Sequence, residues 1–273
     1  MVRNLLAAGY TVCGFDLDVD RLAACVEAGM RPKHDVAAVV AQSDIVLTSL
    51  PSSQTFLTVA EHEILPNTHA GQIVIDLGTT AVHKFRALAE EFARRDVDLL
   101  DAPVSGGPGG VERRQLYIFL GGPDETVQRC MPIFIAIGGG DERITYCGPV
   151  GSGQIVKGVN QLMMGLGNAA YLEALAFGVN AGVDAAVIRQ ALGNTGRWRV
   201  DFHATAGQVV EGHGDKVGVK FRELPYFIEA AKAAGFPLPL TELLYHFCDV
   251  GERVVIDDHR PAPSFWRELS KRV

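Results

Sequence analysis

Gly148-Pro149-Val150-Gly151-Ser152-Gly153-Gln154-Ile155-Val156-Lys157-Gly158-Val159-Asn160 divides this chain into two kinds of sequence. Before it, short apolar runs alternate with segments of helical periodicity. After it, from Gln154 to Ala181, no proline occurs, and Ile155, Val159, Leu162, Met163, Leu166, Ala170, Leu175 and Ala176 make the segment apolar on nearly every side. That pattern predicts a buried central helix of about 28 residues, roughly 42 Å at 1.5 Å per residue. The same stretch carries a candidate reactive group. Three glycines give a compliant backbone ahead of the helix, and Lys157 falls in its second turn with Asn160 three residues on, on the same face. A cation is poorly placed near the positive end of a helix. The helix start and partial burial both favour a neutral amine, which would bring the pKa of Lys157 down toward the range useful for proton transfer. A surface lysine on a glycine-capped helix explains the string equally well.

Working back toward the N-terminus, strand and helix signals alternate. Tyr10–Phe15, Asp44–Leu50, Gln72–Asp76, Val97–Asp101, Gln115–Leu120 and Arg143–Tyr146 read as strands. Helical periodicity covers Arg21–Ala28, capped by Asp18 or Asp20, then His83–Arg95 and the region of Glu125–Phe134. The near-continuous apolar run in Asp44–Leu50 suits a strand buried on both faces. Alternation of this kind implies a mostly parallel sheet covered by helices. Beyond the long helix, Ala185–Leu192, Val200–Glu211, Glu223–Ala234 and Thr241–Gly251 read helical, so an all-α domain is expected after a boundary near Pro149.

Composition narrows the function. The 273 residues carry 25 basic and 32 acidic groups, a net charge of −7, with no basic run, so no nucleic-acid partner is expected. Five cysteines are widely spread with no C-x-x-C pair, which suits a reducing, cytoplasmic setting and argues against a zinc site. The N-terminal residues are too few and too mildly apolar for a signal peptide. No apolar run nears the roughly 18 residues of a membrane span, so no membrane partner is expected. Asp16, Asp18, Asp20 and Glu27 have the outer spacing of a calcium loop, but Arg21 stands where the turn glycine is needed. No metal is expected there, and the eight histidines show no ligand spacing.

In open parallel sheets, ligands sit beyond the carboxyl ends of the strands. Asp16 ends a strand where an acid accepts hydrogen bonds from adenosine ribose hydroxyls and repels a 2′-phosphate; a helix cap is the plainer role. Leu50-Pro51-Ser52 is placed to line a cofactor cleft. Gly78-Thr79-Thr80 offers hydroxyls to a nicotinamide or to the following helix. Asp101-Ala-Pro-Val-Ser105-Gly106-Gly107 offers a hydroxyl and backbone N–H groups suited to a carboxylate, although Pro108-Gly109-Gly110 makes an ordinary loop credible.

In register, these segments resemble the β-hydroxyacid dehydrogenases, the family of 3-hydroxyisobutyrate dehydrogenase and tartronate semialdehyde reductase. Asp101–Gly107 resembles the family's substrate motif, Gly148–Asn160 its catalytic motif and Ile75–Thr79 its nicotinamide-side segment, while Arg222-Glu223-Leu224 stands where the family has Lys-Asp-Leu. The resemblance implies a Rossmann-type NAD(P)-binding domain over residues 1–149 and an all-helical substrate and dimerisation domain over 150–273. It implies an NAD- or NADP-dependent oxidoreductase acting on a small 3-hydroxy acid or its semialdehyde, as a homodimer or homotetramer, with Asp16 favouring NAD. Lys157 would be the general acid/base, Asn160 would orient it or the substrate, and Ser105, Gly106 and Gly107 would hold the substrate carboxylate. Asp16, Leu50, Pro51, Thr79 and Arg222 would contact the cofactor. Departures from the family pattern fall at Gly78, Val111–Leu116, Gln161 and Arg222-Glu223, and they bear on the substrate more than on the chemistry. Arg113 or Arg114 would then read a second acidic group, or simply be solvated. The family also opens with a strand and G-x-G-x-x-G before a helix similar to residues 1–9. An N-terminally truncated chain is therefore expected, with the edges of two interior strands exposed. Alternatives are a catalytically impaired homologue and an imine-reductase-like relative, whose members commonly lack a lysine at this place.

Overall fold

The computed structural model describes residues 1–213, 217–218 and 223–247. Two compact units, Met1–Lys157 and Gly158–Val273, divide inside one long helix. The first unit runs α1 (Val2–Ala7), β1 (Cys13–Gly14), α2 (Val19–Glu27), β2 (Arg31–Pro32), α3 (Val36–Val40), β3 (Ile45–Thr48) and α4 (Ser53–Val59). It continues with β4 (Ile73–Asp76), α5 (Val82–Ala93), β5 (Asp98–Asp101), β6 (Val104–Ser105), α6 (Gly107–Glu112), β7 (Tyr117–Gly121), α7 (Asp124–Gly138), β8 (Ile144–Gly148) and the start of α8 (Ser152–Asn180). The helix starts follow from sequence. Asp18, Asp35 and Ser52 accept backbone N–H groups at the heads of α2, α3 and α4, each satisfying donors that a helix leaves orphaned.

The strands β3, β4 and β5 pair in parallel, with Thr48, Asp76 and Asp101 in register at their ends. Strand β7 runs antiparallel to β5 and β6 and parallel to β8. The result is the expected mostly parallel sheet. Its two faces feed two cores: Ile73, Ile75 and Leu100 join one with Phe134 and Ile137. Val74 and Leu99 join the other with Phe56, Phe85 and Phe92. Alternation along a strand explains the split. Strands β1 and β2 form a separate parallel pair, and among the described residues β3 ends the larger sheet.

In the second unit the described elements are helices: the rest of α8, α9 (Ala185–Leu192), α10 (Arg197–Val210), α11 (Leu224–Ala233) and α12 (Pro239–Phe247). Leu172, Leu175 and Ala176 of α8 pack with Phe202, Ala206 and Val209 of α10. Two expectations for α8 are corrected. It is not buried all round: Val159, Met163 and Phe177 are 56%, 71% and 79% exposed. A helix that is apolar on every side can bury only the stripe its neighbours reach. It is also long and apolar enough to cross a membrane by length and composition, with a mean hydropathy of 1.3 over its most apolar 18 residues. Glycine, asparagine and glutamine interrupt the run and hide that average from a search for continuous apolar sequence.

Candidate active site

Because β3, β4 and β5 are parallel, the segments leaving their carboxyl ends gather at one end of the sheet. From β3 come Leu50, partly buried, and exposed Pro51, ahead of the Ser52 cap. From β4 comes the turn Gly78-Thr79-Thr80, with Thr79 partly exposed and Thr80 buried. From β5 comes Ala102–Gly107.

Two carboxylates lie buried where these strands end. Asp76 Oδ1 accepts from Thr48 Oγ1 (2.9 Å) and the Gly78 N–H (3.0 Å), and Oδ2 accepts from Thr80 Oγ1 (2.9 Å). Burial pushes its carboxyl up to about 6; the three hydrogen bonds work against that rise, and neighbouring Asp101 adds to it. Asp101 is also pushed up by burial, opposed by backbone N–H groups at the start of α8. Its Oδ1 accepts from the Gly151 N–H (2.7 Å) and its Oδ2 from the Gln154 N–H (2.9 Å). A strand-end carboxylate therefore caps α8 from a distance of about fifty residues in sequence.

That cap explains the glycines of the opening string. Gly148 and Gly151 have φ of +126° and +88°, open to glycine at little cost. Gly153 has no such φ; a side chain there would meet the Phe119 carbonyl oxygen at 2.2 Å and Asp101 Oδ2 at 2.9 Å. The cap also corrects the argument about Lys157. The helix start is not a bare positive end: a buried carboxylate sits on it and opposes that field.

Lys157 is 8% exposed, which excludes the surface-lysine reading. Its Nζ donates to the Val104 carbonyl oxygen at 2.9 Å, one residue before Ser105. The lysine and the Ser105-Gly106-Gly107 segment are thus brought together. Val104 and Ser105 form β6 against β7. Gly106 (φ +134°) then turns the chain into α6, whose start has no side-chain cap. Pro108–Gly110, a credible loop by composition, lies in this helix. Proline is tolerated in a first helical turn, because its missing N–H has no intrahelical partner there.

The remaining candidates sit as follows. Asn160 lies one turn beyond Lys157 in α8, and its Nδ2 donates to Gln161 Oε1 (3.2 Å) and approaches Met164 Sδ (3.6 Å). Asp16, exposed after β1, accepts the Asp18 N–H (2.9 Å), while Asp18 is the residue that caps α2. Arg222 lies outside the described residues. Arg113 is exposed and donates to Gln115 Oε1 (3.3 Å). No cluster of three metal-ligating side chains occurs among the described residues. The set suits a nicotinamide dinucleotide in its chemistry: an outward acid after β1 for ribose hydroxyls and a hydroxyl-bearing turn after β4. Sequence reasoning missed the roles of Asp101 and Gln154. The fully buried Gln154 gives its side-chain Nε2 to the Gly78 carbonyl (3.0 Å) and takes the Thr80 N–H on Oε1 (2.9 Å). A buried strand ending in Asp, and a Gln inside Gly-Ser-Gly-Gln, were the available signals.

Comparison with known proteins agrees with this fold. Residues 1–148 match the NAD binding domain of 6-phosphogluconate dehydrogenase, and residues 151–259 match the NAD-binding domain of NADP-dependent 3-hydroxyisobutyrate dehydrogenase. The chain is 29% identical to 2-(hydroxymethyl)glutarate dehydrogenase of Eubacterium barkeri, over 99% of this chain and 91% of that protein. It is 32% identical to 3-hydroxyisobutyrate dehydrogenase of Pseudomonas aeruginosa, over 74% of this chain and 68% of that one. Its fold is shared with the solved 3-hydroxyisobutyrate dehydrogenase of Mycobacterium tuberculosis, at a TM-score of 0.78 and 22% identity, covering 99% of this chain and 93% of that one. With both halves matched in order around a strand-end site, the chain belongs to the β-hydroxyacid dehydrogenase family of NAD-binding oxidoreductases.

Proposed function

We propose that this chain interconverts a small 3-hydroxy acid and its semialdehyde, with Lys157 moving the proton. The observation that carries the reading is the buried Lys157 amine, held on the Val104 carbonyl beside Ser105-Gly106-Gly107. The Eubacterium barkeri and Pseudomonas aeruginosa relatives are named for acids whose hydroxyl lies on a carbon next to the one bearing the carboxylate. In the proposed arrangement the Ser105 hydroxyl and the N–H groups of Gly106 and Gly107 hold the substrate carboxylate. Lys157 Nζ then faces the substrate hydroxyl and takes its proton on oxidation, returning it on reduction. Asn160 steadies the substrate or Lys157 from the next turn of α8. Asp16, Leu50, Pro51, Thr79 and Arg222 are the cofactor-side residues in this reading. A nicotinamide bound beside them supplies hydride acceptance or donation. Asp16 makes NAD the preferred form, because a carboxylate accepts from ribose hydroxyls and repels a 2′-phosphate. The exposed apolar face of α8 supports a homo-oligomer that covers it.

Steady-state assay of a panel of 3-hydroxy acids and semialdehydes with each cofactor tests the reading. Lys157→Ala is expected to lower kcat by about 10² to 10⁴, the usual general acid/base contribution. Unchanged turnover would remove Lys157 from the mechanism. NAD is expected to give the higher kcat/KM, and equal values would remove the role of Asp16.

A further inference from the structure

Gln154 engages two backbone groups two residues apart. Its Oε1 accepts the Thr80 N–H at 2.9 Å and its Nε2 donates to the Gly78 carbonyl at 3.0 Å. Those are the groups a neighbouring β-strand would bond, and a primary amide can satisfy both because it carries a donor and an acceptor side by side. The side chain is fully buried, so water is a poor substitute for it. Its own N–H goes to Asp101 Oδ2. One residue therefore ties together the turn after β4, the carboxylate ending β5 and the first turn of α8. Lys157 follows three residues later and lies next to it on the helix surface. Thr79 sits inside the clasped turn, between the two groups the amide holds.

We propose that Gln154 is a positioning residue for proton transfer: its side-chain amide fixes the helix start that carries Lys157 against the Gly78–Thr80 turn. The inference rests on the reading of Lys157 as the proton carrier. Loss of the amide leaves the Asp101 cap and the Lys157–Val104 bond in place, so the helix should loosen rather than unfold. A small misplacement is enough to matter, since a shift of about 1 Å at a reacting group can cost on the order of a hundredfold in rate.

The test uses Gln154→Met, which keeps length and loses the amide, alone and combined with Lys157→Ala. Gln154→Met is expected to lower kcat at least about tenfold while the hydroxy-acid KM stays within about threefold, and to cost nothing further in the Lys157→Ala background. Gln154→Glu should regain turnover as pH falls, because a protonated carboxyl again offers one donor and one acceptor. Amide hydrogen exchange, which needs neither cofactor nor substrate, should rise together at Thr80 and across residues 151–157 in Gln154→Met. A kcat within twofold of the parent overturns the proposal. So does an equal loss in the Lys157→Ala background, or faster exchange at Thr80 alone. A crippling Lys157→Ala beside a harmless Gln154→Met overturns only the positioning role. A harmless Lys157→Ala overturns the reading on which it rests.

Discussion

Asp76 sits in an environment at odds with its chemistry. An unfolded Asp titrates near 3.8, and burial in the fold raises this one to about 6. Between those values the fold binds the proton more tightly than the unfolded chain does. The contribution of Asp76 to stability is therefore fully present below pH 4 and is lost as pH rises toward 6. Above that, the buried charge leaves a constant penalty on the order of 3 kcal/mol, at 1.36 kcal/mol per pH unit. Asp101 acts in the same direction. An asparagine at position 76 could keep the Thr48 and Gly78 bonds, both of which fall on Oδ1, while the Thr80 hydroxyl turns to accept. Urea unfolding of Asp76→Asn and the parent is thus expected to show the variant gaining relative stability between pH 4.5 and pH 7. A difference that stays constant with pH would mean that Asp76 titrates normally.

At the scale of an element, the start of α8 is held by close approach. Gly153 lies against the β7 backbone and the Asp101 carboxylate, so neither neighbour can yield as a flexible side-chain tip could. Gly153→Ala is expected to destabilise the fold by about 1–3 kcal/mol, the usual cost of overpacking. It should also lower kcat, because the same movement carries Lys157 away from Val104. Thermal melts together with kcat check this, and an unaltered melt would show that α8 docks more loosely than the contacts indicate. The opening glycine string was legible as a helix start, but the reason for each glycine was not. Backbone dihedrals account for Gly148 and Gly151, and a contact with residues 34 and 52 positions earlier accounts for Gly153.

For the whole molecule, the outward apolar surface of α8 is the outstanding feature. Met163 and Phe177 would cost the chain little if a second copy covered them. Light scattering is expected to give at least twice the 29.4 kDa of one chain, and Met163→Lys with Phe177→Lys should shift it toward the monomer. A monomeric parent would remove the oligomer, and co-sedimentation with lipid vesicles would assign the face to a membrane instead.

Much of this fold could be read along the chain, because strand and helix periodicities are properties of near neighbours. The strands ending at Asp76 and Asp101 were placed correctly at their carboxyl ends, and Ala185–Leu192 at both of its ends. The strand expected over Tyr10–Phe15 is shorter: among the described residues its pairing is confined to Cys13–Gly14, with β2. Helix α7 outran its expected end near Phe134, passing Pro132 to reach Gly138. The sequence by itself determined the layered sheet and the helical second half, while the grouping of Lys157 with Ser105-Gly106-Gly107 came from the family resemblance. Tertiary structure alone decided that Asp101 caps the lysine's helix and that Gln154 clasps the β4 turn. Those bonds join residues 50 to 76 positions apart, and a hydrogen bond between distant residues leaves no periodic trace in the chain.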